Sequence, residues 1–413
     1  MRRPRPHSGH SMTTSLSHHC SSFTKLRITP GHVVSTTFST TCSTLAIAMR
    51  SFTTAAVAAF AAQAPALNVL MGNDDGFGAA NLREFYRLLK AEGHDVVVVS
   101  EADNQSGMGG RAVFTNLPTL PAGSEYGLIP PGAPSIGQDP HDKNIWYYNG
   151  TPAATAFVGL DYVLPTFSNF KEPDLVVAGP NFGLNLGPFL YTLSGTAGYT
   201  YASVGRGYPA IAFSGGNAEQ RSYTWINKTT ASGHPDPATI QAQLAVKVVQ
   251  ALVKATPKGE RLLPLGYGIS VNTPFITSLF NDSCISPPFI QTRLTGGADY
   301  DIAVFNSTSK TFTYKNTVPS GGNQCINGDC SLPGETEILN TGCQSSISVF
   351  TVDYDAPIGR SQTDIRHRLS SIAPYNGTGG DVGNSTWGGY GPKPTGWVSP
   401  SRHHWSARWN LEN

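Results

Sequence analysis

Apolar residues follow two rhythms along this chain. Short unbroken runs at residues 67–71 (Leu67-Asn68-Val69-Leu70-Met71), 94–100, 173–179 and 209–214 predict strands buried on both faces. Between them the apolar spacing changes to three and four. Leu82, Phe85, Leu88 and Leu89 predict a helix over 79–91 with one buried face, ended by Gly93. Helices are also predicted over 152–163 and, from small residues, over 196–204. The clearest one starts at Asp236 and Pro237, a good cap followed by a favoured first residue, and carries Ile240, Leu244, Val248 and Leu252 as an i+4 row. Ala255-Thr256-Pro257 stops it. Strand and helix alternate tightly, which predicts an α/β fold with a doubly wound, mostly parallel sheet.

Past Gly266 the rhythm is that of short β-like runs at 267–272, 289–294, 300–305 and 346–354. They predict a β-rich C-terminal extension. A last helix is expected over 361–373 and a disordered tail over 376–413, where polar and Gly-rich sequence shows no period. Residues 107–150 are rich in Gly and Pro, with one strand expected at 146–148. This stretch reads as an active-site loop region, and Gly107–Arg111 within it as a flexible loop.

The polar residues at the strand ends point to chemistry. Asn73-Asp74-Asp75-Gly76 follows the first strand, and two adjacent carboxylates there repel unless a cation lies between them. Taken alone the tetrapeptide reads as a turn. Further along come Asp103-Asn104-Gln105-Ser106-Gly107 after the second strand, then Gly179-Pro180-Asn181-Phe182-Gly183-Leu184-Asn185-Leu186-Gly187, then Ser194-Gly195-Thr196 before the small-residue helix. In a parallel sheet these loops open on one edge and can converge. The histidines (His94, His141, His234) lack ligand spacing and read as structural or surface groups.

The order N-D-D-G, D-N-x-S-G, G-x-N-x-G-x-N-x-G and S-G-T resembles the SurE family of metal-dependent phosphatases and nucleotidases. The resemblance covers roughly residues 67–357 and includes Ile269–Pro274, which is similar to the family's N-x-P strand. It implies a Rossmann-like sheet and makes Asp74, Asp75, Ser106 and Asn181 the ligands of Mg²⁺ or Mn²⁺. All four offer hard oxygen donors, as such ions require. It further implies that Ser194, Gly195 and Thr196 hold the phosphate at a helix N-terminus, with Asn185 as an additional donor. The expected reaction is hydrolysis of a small phosphomonoester, nucleotides included, by water activated at the metal. Asp74 or Asp75 acting as base or nucleophile stays open. The chain departs from the bacterial pattern at Ala154-Thr155, where those proteins carry Asp-Cys, and in expanded segments at 215–235 and 284–343. The N-terminal sequence suggests the eukaryotic, secreted acid-phosphatase-like branch. A homodimer is compatible with the resemblance.

Two other classes fare worse. A dinucleotide-binding oxidoreductase needs a G-x-G-x-x-G turn where this chain has acids. A non-catalytic metal- or nucleotide-binding protein on the same fold is the main alternative, but all four expected ligands are present.

Composition adds the cellular setting. The net charge is +1, but residues 1–50 hold six basic residues and no acid, which leaves the rest at +1 − 6 = −5 and argues against a nucleic-acid surface. Met49-Arg50, the apolar stretch to Ala62 and Ala64-Pro65-Ala66 read as a signal peptide over 49–66, too short for a membrane anchor. Residues 1–48 then read as an extension that is cleaved or untranslated, or, with the whole segment to residue 50, as a transit peptide. Sequons at Asn227, Asn281, Asn306, Asn376 and Asn384 and four clustered cysteines (Cys284, Cys325, Cys330, Cys343) suit an oxidising compartment. Asn104 also falls in a sequon, expected to be unused because a glycan there would obstruct the site. The expected organisation is a catalytic core at 67–265, a β-rich subdomain or arm at 266–357 and a tail at 358–413. The protein is expected to be secreted or to reside in another secretory compartment such as a vacuole.

Overall fold

The structure, a computed structural model, describes residues 65–187, 192–217, 219–294, 301–316 and 331–351, all within the compact unit Ala61–Asn413. Residues 49–64 of the signal-peptide segment, Cys325, Cys330, Asn376, Asn384, the expected helix at 361–373 and the tail lie outside the described residues.

Nine strands form the central sheet. In chain order they are β1 (Asn68–Gly72), β2 (Asp95–Glu101), β3 (Ile136–Gln138), β4 (Ile145–Tyr148), β5 (Leu175–Asn181), β6 (Ala210–Gly215), β7 (Tyr267–Thr273), β8 (Phe289–Thr292) and, after a separate hairpin, β11 (Ser345–Thr351). The spatial order is β3-β4-β2-β1-β5-β6-β7-β11-β8. From β4 to β7 every pairing is parallel. The chain starts in the middle at β1, winds outward through β2 and β4, then returns to wind the other way through β5, β6 and β7. Antiparallel β3 extends one edge, and β11 joins β7 antiparallel while pairing with β8 in parallel. Strands β9 (Asp301–Asn306) and β10 (Thr311–Asn316) form the two-stranded hairpin.

The strand sequences explain the double winding. Side chains alternate between the faces of a strand, so a strand buried on both sides must be apolar throughout. Val69 and Met71 of β1, Val96 and Val98 of β2, and Leu175 and Val177 of β5 feed one core. Their neighbours Leu70, Val97, Val99 and Val176 feed the other. Helices α1 (Ala80–Ala91) and α5 (Pro237–Ala255) cover the first face with Leu82, Phe85, Leu89, Ala242 and Val249. The second face is covered by α2 (Pro152–Val158), a π-helical turn at Gly159–Val163 and α3 (Leu164–Phe167), together with α4 (Gly195–Gly205). Each fully buried Leu, Val or Phe contributes about 1.5–3 kcal/mol.

Several elements differ from the sequence expectation. The expected helix at 152–163 continues to Phe167 through the π turn, with Pro165 inside the last helical turn. Strands β3 and β10 and the short helix α6 (Glu335–Asn340) were not anticipated, because three to six residues are too few to display a period. Within the Gly107–Arg111 segment only Gly109 is buried: its N–H donates to the Leu193 carbonyl at 2.9 Å and it sits against α4, while Gly107, Gly110 and Arg111 are exposed. His94 is structural, its Nδ1 accepting the Leu67 N–H at 3.1 Å. Among the described cysteines, Cys284 and Cys343 form a disulfide. Asn227, Asn281 and Asn306 are exposed.

Candidate active site

The switch point of the sheet lies between β1 and β5, and the C-terminal ends of these strands carry the polar residues noted in the sequence. Asp74 and Asp75 follow β1 and are 2% and 1% exposed. They point in different directions. Asp74 faces the start of α4, where its Oδ2 accepts the Gly195 N–H at 3.0 Å and its Oδ1 accepts the Thr196 hydroxyl at 2.6 Å. Asp75 faces the end of β5 and the 216–222 loop: Oδ2 accepts the Phe182 N–H at 2.9 Å and Oδ1 accepts the Gln220 Nε2 at 3.0 Å. The Asn104 Nδ2 lies 3.4 Å from the same Oδ1.

The local sequence dictates this arrangement. Ser194 caps α4, its Oγ accepting the Ala197 N–H at 3.0 Å, which aims the first free N–H groups of the helix at Asp74. Gly195 has to be glycine. A Cβ there would lie 2.6 Å from Pro152 Cγ and 2.7 Å from Asp74 Cβ. One turn on, a Cβ at Gly198 would meet the Gly109 carbonyl oxygen at 2.0 Å, so small residues let the 107–110 loop close over the helix. The anion held at this helix N-terminus is thus the Asp74 carboxylate.

The loop after β2 is tied to the pair. Gln105 N–H donates to the Asp74 carbonyl at 2.7 Å, and Ser106, which is exposed, donates its N–H to Asn104 Oδ1 at 2.8 Å. Asn181 ends β5; its Nδ2 goes to the Gly183 carbonyl at 3.0 Å, which leaves Oδ1 as the end that can meet a cation. Asn185 is held by the core strands, its N–H on Asn272 Oδ1 at 2.8 Å and its Nδ2 on Ser214 Oγ at 2.7 Å. Asp74, Gly195 and Thr196 are therefore in contact around one strand end, with Asp75 next in the chain and turned towards Phe182 and Gln220. Asn104, Gln105 and Gln220 join them directly, and Ser106, Asn181 and Asn185 belong to loops fastened beside them.

Burial raises both acids. Desolvation pushes the Asp74 carboxyl up, against the bonds from Thr196 and Gly195. Asp75 is pushed well up, by burial first and then by the charge of Asp74. Glu101, fully buried at the end of β2, is also pushed well up by burial and faces the charge of Asp74. Three buried acids at one sheet edge are what a cation would offset. The donor chemistry fits a hard divalent ion: two carboxylates, a hydroxyl and an amide carbonyl, all oxygen. Among the described residues no three His, Cys, Asp or Glu side chains group to hold a metal, so such an ion would draw on neutral oxygens as well.

Sequence reading missed Gln220, Glu101 and the strand partner Ser214, and it placed Asn272 in the N-x-P strand without its bond to Asn185. Glu101 could have been found, since it stands at the end of an apolar run as Asp74 does. Gln220 sits in a loop with no motif and reaches Asp75 only through the fold.

The fold and site define a doubly wound α/β protein with an acidic, oxygen-rich centre at its switch point. A profile described as Survival protein SurE matches residues 69–291, and the chain belongs to the SurE family. An acid phosphatase of Yarrowia lipolytica is 46% identical over 292 residues, covering 70% of this chain and 80% of that protein. The 5'-nucleotidases SurE of Desulfovibrio desulfuricans and Gloeobacter violaceus are 33% and 35% identical over 149 residues, 36% of this chain and 49% of theirs. The chain thus aligns with about half the length of these bacterial relatives. Both names describe hydrolases. The crystal structure of the SurE protein from Aquifex aeolicus superposes with a TM-score of 0.50 at 20% identity, over 74% of this chain and 99% of that one, which establishes the shared fold.

Proposed function

We propose that the protein is a divalent-metal-dependent phosphomonoesterase, acting on nucleoside monophosphates or other small phosphate monoesters. The observation that carries this reading is the pair Asp74 and Asp75, buried side by side at the switch point and both pushed up in pKa. The likeness to an acid phosphatase over 80% of its length supports the same conclusion. Asp74, Asp75, Ser106 and Asn181 would hold Mg²⁺ or Mn²⁺. Bound there, the ion would neutralise charge on the phosphoryl oxygens and ease deprotonation of an attacking water.

The chain's own residues do the rest. Thr196 and the Gly195 N–H fix the orientation of Asp74, while the Phe182 N–H and Gln220 fix that of Asp75. Ser194, Gly195 and Thr196 would border the phosphoryl group and orient it for in-line attack through Asp74, which occupies the Gly195 and Thr196 donors, with Asn185 fixed in the loop beside them. A water oxygen bonds to phosphorus as the bond to the leaving oxygen breaks, and that oxygen takes up a proton.

A secretory location is part of the proposal. It is supported by the signal-like segment at 49–66, the exposed sequon residues Asn227, Asn281 and Asn306, and the Cys284–Cys343 disulfide.

The test is phosphate release from p-nitrophenyl phosphate and from nucleoside monophosphates, with Mg²⁺ or Mn²⁺, with a chelator, and in Asp75→Asn. Loss of at least about a hundredfold in both the chelated enzyme and the variant is expected. Activity that survives both would refute the mechanism, and metal or nucleotide binding without turnover in the wild type would establish the binding-protein alternative.

A further inference from the structure

Glu335 is a buried acid that the site has not used. It opens helix α6, after Gly334, and has no exposed surface. Its Oε1 accepts the backbone N–H of Gly187 at 2.7 Å, and its Oε2 accepts the hydroxyl of Ser348 at 2.9 Å. Ser348, on β11, pairs in turn with the Thr292 hydroxyl of β8 at 2.7 Å. Burial pushes the Glu335 carboxyl up to about 8, so over the acid and neutral range it is a neutral hydrogen-bonding group.

Gly187 closes the loop that starts at Asn181. Two anchors of that loop come from core strands, the Asn272 side chain of β7 and the Ser214 hydroxyl of β6, and both act at Asn185. The third anchor, Glu335 on Gly187, comes from residues beyond the 69–291 match to the family. The segment that delivers it is itself fastened. Cys343 is joined to Cys284, β11 lies between β7 and β8, and Glu335 N–H donates to the Arg293 carbonyl at 3.1 Å. The Arg293 guanidinium donates to the Leu332 carbonyl. A backbone N–H met by a fully buried acceptor on such a fixed element has little freedom to move.

We propose that Glu335 is a positioning residue of the active site, fixing through Gly187 the loop that presents Asn181 and Asn185. It rests on the phosphatase reading above for its effect on turnover, but the anchor itself is a statement about the loop. The C-terminal extension then has a definite role in the chemistry. It holds the exit of the Asn181–Gly187 loop, from which the chain runs on to the Ser194–Thr196 turn.

Three variants and two readouts test this. Glu335→Gln keeps a neutral acceptor for Gly187 and should hold kcat/KM within about twofold of the wild type. Glu335→Asp, one methylene shorter, and Glu335→Leu, without an acceptor, should lose about tenfold or more in kcat/KM and weaken inhibition by inorganic phosphate. Amide hydrogen exchange over 181–187, measured in the full chain, should speed up about tenfold in the Asp and Leu variants and stay slow in Gln. If Glu335→Leu fails to fold, the comparison of Asp with Gln decides. Exchange and phosphate inhibition unchanged in a folded Asp or Leu variant would overturn the proposal. A wild type without phosphatase activity would overturn the functional reading, and exchange at 181–187 would still decide the anchor.

Discussion

The hydroxyl of Thr196 donates to Oδ1 of Asp74 at 2.6 Å, while the adjoining Gly195 N–H donates to Oδ2 at 3.0 Å. One carboxylate thus joins the end of β1 to the start of α4, each of its oxygens accepting one hydrogen bond and keeping a lone pair for a cation. The helix N-terminus offers a partial positive charge, and the aspartate answers it. Thr196→Val keeps the shape and removes the donor, leaving a buried carboxylate oxygen short of a partner. Its expected cost is about 1–3 kcal/mol of stability, with a fall in kcat/KM that Thr196→Ser restores. Denaturant unfolding and steady-state kinetics on the pair of variants check it; equal behaviour of Val and Ser would remove the hydroxyl from the account.

Glycine at two positions of α4 gives opposite outcomes. A Cβ at Gly195 would lie 2.9 Å from Asp74 Oδ2 as well as 2.6 Å from Pro152 Cγ, and neither neighbour is a free chain end. Gly195→Ala should therefore cost about 1–3 kcal/mol and displace Asp74, with a loss of activity. At Gly205, in the last turn of the same helix, a Cβ would meet nothing within 4 Å. Gly205→Ala should raise stability by about 0.5–1 kcal/mol with activity unchanged. Thermal midpoints and phosphate release measured side by side make the contrast.

The disulfide closes a loop between residues 59 apart in sequence and fastens the segment that carries Glu335 and β11. Cys284→Ser with Cys343→Ser should cost about 2–4 kcal/mol of stability, mainly by freeing the unfolded chain. A reducing agent should lower the thermal midpoint of the wild type and leave that of the double variant unmoved. A midpoint indifferent to both treatments would contradict the assignment.

Much of this architecture is legible in the sequence because it rests on local signals. The apolar run of β1 ends at Asn73-Asp74-Asp75-Gly76, and Asp236 caps α5, its side chain accepting the Ala238 N–H at 3.0 Å. The face each helix covers follows from the spacing of its apolar residues. The motifs at the ends of β1, β2 and β5 and before α4 supply the residues around Asp74 and Asp75, because in a parallel sheet those ends share an edge. What the sequence hides is contact between distant and unpatterned segments. Gln220 reaches Asp75 across 145 positions, and Glu335 reaches Gly187 across 148. Neither has a motif, and α6 is too short to show a period. The turn predicted at Ser194–Thr196 is present, but the group it holds is Asp74, because the crowding at Gly195 leaves the carboxylate in contact with the first turn.

Glu335 makes stability depend on pH in a direction that can be worked out. In the folded chain burial raises its pKa from 4.5 to about 8. Below 4.5 it is protonated in both the folded and unfolded states and contributes no pH dependence. Between 4.5 and about 8 the unfolded state has released this proton while the folded state retains it, so stability falls as pH rises, by up to about 1.4 kcal/mol per unit. Above about 8 the folded state also ionises and the dependence ends. Glu335→Gln cannot titrate and loses this component. The wild type should therefore be most favourable relative to Glu335→Gln at pH 4–5 and lose ground steadily towards pH 8, as read from denaturant unfolding at several pH values. A difference between the two proteins that stays constant over that range would show that Glu335 does not keep its proton on folding.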